Sequence, residues 1–199
     1  MTEQREICIV DDDADVRESL EMLLRRSGYR VKVFGSAHAF LEAGPGPDCS
    51  CVLADVRMPE MDGLALQREI NRRWPALPVV IMTGHGDIQM AVQAMRAGAV
   101  DFLEKPFEKQ ALIEAIARAQ RPSRAEALSR QPSQSVTDLT DREREVFELL
   151  VEGHQNKMIA HRMGISVRTV EVHRARVMAK LRVHNLPELV KLALGRDTK

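Results

Sequence analysis

The chain has 199 residues, 44% hydrophobic and 29% charged, a balance suited to one soluble globular domain or two small ones. No apolar run approaches the roughly 20 residues that a bilayer span needs, and the opening MTEQREICIV lacks a signal-peptide pattern, which argues for the cytoplasm and against a membrane partner. The zero net charge hides an asymmetry: residues 1–122 carry 15 Lys+Arg against 19 Asp+Glu, while residues 156–199 carry 10 against 3, so the tail suits a polyanion.

In chain order, EICIVDD (6–12) reads as a strand, and Val16, Leu20, Leu23 and Leu24 then mark one face of a helix. YRVKVF (29–34), CVLAD (51–55) and PVVIMT (78–83) read as further strands. Ile88, Val92 and Met95 mark a helix, DFLEK (101–105) a fifth strand, and Leu112, Ile113, Ile116 and Ala117 a last helix. Strands alternating with helices predict an α/β fold, a five-stranded doubly wound parallel sheet. The three cysteines, at 8, 49 and 51, are odd in number and lack metal-ligand spacing; they read as small strand or core residues in a reducing compartment.

RPSRAEALSRQPSQS (121–135) holds two Pro and four Ser and has the composition of a linker. Beyond it the pattern is helical. Thr140 and Glu143 form a capping box opening one helix, NKMIAHRM is a short helix, and GIS is a turn. Ser166 can cap VRTVEVHRARVMAKL, and LPELVKLAL follows Asn185. A short helix, a Gly-containing turn and a longer basic helix predict a helix-turn-helix. The expected division is a first domain over 1–120, a linker over 121–136 and a small all-α domain over 137–199.

In an open parallel sheet ligands bind outside the carboxyl ends of the strands. That rule gathers Asp11 and Asp12, Asp55, Thr83 and Lys105 in one shallow pocket. Converging carboxylates call for a cation, and Mg²⁺ (or Mn²⁺) favours such oxygen ligands, with the Arg57 backbone carbonyl available as another. The alternative, a solvated helix start near a positive dipole end, is preferred for Asp13 and Asp15. Lys105 and Thr83 suit the oxygens of a phosphoryl group, and an Asp carboxylate is a known nucleophile for aspartyl-phosphate. Asp55 is the expected attachment point. His85 and Arg57, two residues past Thr83 and Asp55, overhang the pocket and are expected to govern water access; a simply solvated His85 stays open. Glu60, Asp62 and Asp87 read as helix-start or surface charges.

In the basic helix, Val170, His173, Val177 and Leu181 recur at core spacing, turning Arg168, Glu171, Val172 and Ala175 outward with Arg174 and Arg176 on the flanks. Thr169 completes the DNA-contacting set. Glu171 can accept from a cytosine amino group and Val172 can touch a thymine methyl. The arginines, with Asn156 and Lys157 from the preceding helix, would grip phosphates. An ordinary solvated basic helix is the plain alternative. The last helix, with Leu189, Val190, Leu192 and Ala193, has apolar surface for a core and a dimer seam.

The segments IVDDD, VLADVRMPEMDG and IMTGHGDIQMAVQAMRAGAVDFLEKPFE together resemble the receiver domain of two-component response regulators. LTDREREVFELLVEGHQNKMIAHRMGISVRTVEVHRARVMAKL resembles the LuxR-type DNA-binding domain, and the pairing is most similar to FixJ-type transcriptional regulators. The likeness spans nearly everything except the linker and the tail after Leu194. It implies that Asp55 accepts a phosphoryl group from a sensor histidine kinase. It also implies that Asp12, Asp55 and the Arg57 carbonyl ligate Mg²⁺ directly, with Asp11 acting through water. Thr83 and Lys105 would contact the phosphoryl oxygens, Phe102 would be the aromatic switch, and the Lys105–Pro106 bond would be cis. For Phe102 a plain core role stays open. Further implications are dimerisation on phosphorylation through the fourth helix and fifth strand, promoter DNA as partner, and RNA polymerase as partner if the protein is an activator. Glu171 replaces the positive charge some LuxR-type domains carry there, so no target sequence is borrowed. The receiver is not expected to be an enzyme beyond its own phosphorylation and slow dephosphorylation. A Mg²⁺-dependent phosphohydrolase and a phosphorylation-independent DNA-binding protein are the competing readings.

Overall fold

Short β-branched runs buried on both faces need helices above and below them, and that is what forms. The structure, a computed structural model, describes residues 5–84, 88–121 and 136–194, apart from the side chains of Ile88 and Thr137. The chain divides into two compact units, residues 1–85 with 96–121 and residues 86–95 with 122–199.

The elements run β1 (Glu6–Val10), α1 (Ala14–Arg26), β2 (Arg30–Phe34), α2 (Ala37–Ala43), β3 (Cys49–Asp55), α3 (Gly63–Arg73), β4 (Val79–Thr83), α4 (Ile88–Arg96), β5 (Asp101–Glu104) and α5 (Lys109–Ala119). Every strand pair is parallel and the sheet order is β2-β1-β3-β4-β5. The expected α/β architecture is therefore present. β1 stops at Val10 and β5 at Glu104, so Asp11, Asp12 and Lys105 lie just beyond strand ends instead of on them.

One face of the sheet packs Ile7, Ile9, Leu53, Val80 and Met82 against Leu20 and Leu24 of α1 and Leu112, Ala115 and Ile116 of α5. Val16, Leu23 and Ile113 pack there half-buried, as their spacing predicts. Ala117 does not: it is exposed, and Ala115 and Ala119 face the core instead. The α5 stripe runs at i, i+3, i+4 and i+7 from Leu112, which passes over position 117. In α4, Val92 and Met95 are buried as expected.

In the C-terminal unit a short 3-10 turn, Val136–Asp138, leads to α6 (Asp141–Val151), α7 (Asn156–Met163), α8 (Val167–Leu181) and α9 (Leu186–Leu194). The Thr140–Glu143 capping box opens α6 with both of its reciprocal hydrogen bonds. Gly164 ends α7 in a left-handed conformation (φ 66°) that favours glycine, and Ser166 then caps α8 by accepting from the Thr169 N–H at 3.1 Å. The core joins Val146, Phe147 and Leu150 to Ile159, Val170, Val177, Leu181 and Leu189. Most of the expected linker, residues 122–135, lies outside the described residues, as does the tail from residue 195.

Candidate functional site

The carboxyl ends of β1, β3 and β5 bring three charged side chains together. Lys105 Nζ donates to Asp11 Oδ2 at 2.8 Å and to Asp55 Oδ1 at 2.5 Å. Asp11 and Asp55 are 1% and 8% exposed, whereas the Lys105 side chain is 25% exposed. The free oxygens are held by backbone: Asp13 N–H donates to Asp11 Oδ1 at 3.0 Å, and Arg57 N–H to Asp55 Oδ2 at 2.6 Å. The Lys105–Pro106 bond is cis, as the resemblance implies.

One ammonium thus serves two buried carboxylates. Burial is the largest influence on Asp55 and lifts its pKa above the ordinary carboxylate range, although the hydrogen bond from Lys105 opposes it. For Lys105 burial is again the largest single effect and acts downward, but hydrogen bonds to Asp11 and Asp55 together outweigh it and raise the pKa. The site carries surplus negative charge, and its oxygen donors fit a hard divalent cation. Among the described residues no three His, Cys, Asp or Glu side chains gather as a metal cage, and Lys105 bonds both carboxylates.

The remaining predicted residues divide. Asp12 and Arg57 are both exposed. Thr83 is buried (1%) at the end of β4; its hydroxyl donates to the Gly84 carbonyl at 3.4 Å, while its own carbonyl accepts the Lys105 N–H at 2.7 Å. Phe102 is buried on β5, opposite Ile81. Asp13 and Asp62 are helix N-caps, for α1 and α3, and Glu60 is exposed with φ 64°. His85 and Asp87 lie outside the described residues.

Two supports were not foreseen from sequence. Arg17 Nη1 donates to the Asp11 carbonyl at 2.7 Å, fixing the β1–α1 turn. Gly63 opens α3 directly against the Asp55–Val56 backbone, where an added Cβ would overlap the Asp55 carbonyl oxygen. An Asp–Gly pair after the Pro59 turn was the available signal for Gly63; Arg17 gave none.

On α8, Val170, Val177 and Leu181 are buried and His173 is half-buried, while Arg168, Glu171, Val172, Ala175 and Arg176 are exposed. Val172 stands 45% exposed, and Val167 at the start of α8 is 38% exposed. Arg174 is half-buried on the flank, as is Thr169, whose hydroxyl bonds that of Ser166 at 2.8 Å within the cap. Lys157 is exposed and Asn156 half-buried at the start of α7. Of the last-helix residues, Leu189 and Val190 are core and Leu192 and Ala193 half-buried. No described helix is long and apolar enough to cross a membrane.

Residues 7–117 match the response regulator receiver domain family, and residues 137–193 match the luxR family of bacterial regulatory proteins. The transcriptional regulatory protein FixJ of Bradyrhizobium diazoefficiens is 47% identical over 198 residues, covering 98% of this chain and 97% of that one. FixJ of Rhizobium meliloti is 45% identical over 191 residues, 94% of each chain. Among solved structures, full-length FixJ from B. japonicum aligns with TM-score 0.57 and 46% identity over 97% of both chains. The response regulator StyR aligns with TM-score 0.56 and 40% identity, covering 96% of this chain and 99% of that one.

Proposed function

We propose that Asp55 is the phosphoryl acceptor of this chain, which belongs to the FixJ-type two-component response regulators and is a transcriptional regulator joining a receiver to a LuxR-type DNA-binding domain. The observation that carries the proposal is the Lys105 ammonium shared between Asp11 and Asp55 at the sheet's carboxyl edge.

The donor is a phosphohistidine of a sensor kinase. An Asp55 carboxylate oxygen attacks phosphorus, the P–N bond breaks, and the imidazole leaves with the electron pair and takes up a proton. Backbone N–H of Arg57 and the Lys105 ammonium already orient the Asp55 carboxylate. Lys105 then neutralises a phosphoryl oxygen, and the Thr83 hydroxyl turns from Gly84 to donate to another. Receiver domains are generally Mg²⁺-dependent. Asp11, Asp12, Asp55 and the Arg57 carbonyl would hold the ion, which when bound offsets charge on the transferring group. Turnover is limited to the receiver's own phosphorylation and dephosphorylation; the chain is not an enzyme acting on other substrates.

The output is DNA binding in the cytoplasm. Phe102, already buried on β5, couples the Thr83 movement to a homodimer through α4 and β5, which presents two copies of α8 to two half-sites and raises effective concentration without new base contacts. Engagement of RNA polymerase follows if the regulator activates. Light scattering of the full chain, with and without beryllofluoride plus Mg²⁺, tests this reading. A monomer-to-dimer shift absent in Asp55→Asn supports it. An unchanged mass with beryllofluoride demonstrably bound rules out receiver dimerisation.

A further inference from the structure

β3 starts with an irregularity that decides where its cysteines point. Glu6 pairs with Cys49, yet Ile7 pairs with Cys51, so Ser50 is an extra residue in the β3 ladder. In a regular strand Cys49 and Cys51 would share one face. Here Cys51 packs with Ile7, Ile9 and Leu53 in the core beneath α1 and α5, and Ser50 turns toward α5, accepting from Gln120 Nε2 at 2.9 Å. Cys49 aligns instead with Glu6, which shares its strand face with Cys8. The result is a contact between residues 41 apart: Cys49 Sγ lies 2.9 Å from Cys8 Sγ.

The two thiols are unequal. Cys8 is fully enclosed, whereas Cys49 is partly exposed, and all three cysteines are free. The hydrogen bond with Cys8 is the leading influence that holds the Cys49 pKa below the ordinary thiol range. The same bond and burial drive Cys8 upward, so Cys49 is the sulfur that ionises first and meets solvent. Cys51 is completely buried on the other face and raised by burial.

We propose that Cys8 and Cys49 form an oxidisable dithiol that closes to an intramolecular disulfide, with a hydroperoxide as oxidant. The Cys49 thiolate attacks a peroxide oxygen; the O–O bond breaks, an S–O bond forms, and the leaving hydroxide takes a proton as water. Cys8 sulfur then attacks Cys49 sulfur; the S–O bond breaks, the S–S bond forms, and a second water leaves with the Cys8 proton. Two thiols are oxidised and one hydrogen peroxide is reduced to two waters. The bridge joins the two strands whose carboxyl ends carry Asp11 and Asp55, so it places a redox input on the strand pair that builds the acidic site.

The test uses the reduced full chain treated with equimolar hydrogen peroxide, then denatured and alkylated. Two of the three cysteines become protected, dithiothreitol reverses the protection, and peptide mapping links Cys8 to Cys49 within one chain. Cys51→Ser gives the same link, and Cys8→Ser stops with a sulfenic acid on Cys49 that dimedone traps. A linkage between chains, a linkage through Cys51, or Cys49 that remains alkylatable or gathers only oxygen in the unmutated protein overturns the proposal. None of these outcomes depends on the phosphorylation of Asp55.

Discussion

Gly63 lies against the Asp55 peptide so closely that a Cβ added to it would stand 3.0 Å from the Asp55 carbonyl carbon, and nearer still to the oxygen. The glycine N–H in turn donates to the Val56 carbonyl at 2.9 Å, which ties the start of α3 to the end of β3. The requirement is for space and not for an unusual backbone, because Gly63 is in the helix.

Gly63→Ala is therefore expected to destabilise the receiver by about 1–3 kcal/mol, the usual cost of overpacking backbone that cannot move. Thermal unfolding should fall by several degrees, and the rate of phosphorylation should fall with it as the Asp55 backbone is displaced. An unchanged melting temperature would mean that the close approach is absent in solution.

Lys105→Ala removes the ammonium that bonds both Asp11 and Asp55 and leaves two carboxylates, 1% and 8% exposed, without it. Without divalent ions the variant should be less stable than the parent, since breaking a buried pair exposes the repulsion it had compensated. Added Mg²⁺ should raise the melting temperature of Lys105→Ala more than that of the parent, because it no longer competes with an ammonium for those oxygens. Equal Mg²⁺ responses in the two proteins would argue against a shared site.

Much of this was legible in the sequence because the signals were local. The five strands, the Thr140–Glu143 box and the Ser166 cap each rest on a few neighbouring residues, and α8 spans the stretch expected for it. The acidic site was legible through one global rule, that ligands sit at carboxyl ends of parallel strands. What stayed hidden depends on geometry between distant segments. The Ser50 bulge that turns Cys49 toward Cys8, the Arg17 contact to the Asp11 carbonyl, and the ion pair of half-buried Arg118 with buried Asp101 at 2.6 Å have no periodic signature. Ala117 fell to the other error, a helical stripe assigned one position off.

The DNA-binding unit has its own acid-sensitive contact. Lys180 Nζ donates to Glu143 Oε2 at 2.6 Å, and the Thr140 N–H donates to the same oxygen at 2.9 Å. The bond from Lys180, first, and the Thr140 backbone, second, hold the Glu143 pKa at about 2, below its ordinary 4.5. A carboxyl depressed on folding stabilises fully above its unfolded pKa and loses that contribution as pH falls toward its folded one. The parent should thus shed this stability between about pH 4.5 and pH 2. Glu143→Gln should be the less stable protein at pH 7, and its deficit should shrink across that window in melts at low salt. A deficit that stays constant with pH would show that the ion pair contributes nothing.

The proposed DNA-reading role of α8 separates specific reading from general grip. Arg176 and Glu171 are both exposed on α8. In the proposed DNA-reading role of α8, Arg176 neutralises a phosphate, an interaction that carries no sequence information. Arg176→Ala should weaken binding to operator and unrelated duplex alike, and lower the slope of log affinity against log salt by about 1. Glu171 works differently, since an acid near phosphates repels them and is kept useful only by accepting from a base. Glu171→Ala should leave affinity for unrelated DNA equal or higher while reducing discrimination at one base pair by about 1–3 kcal/mol. Titrations of both variants on operator and scrambled duplexes across a salt series check this. If Glu171→Ala weakens binding uniformly instead, the residue supports the helix and does not read the base.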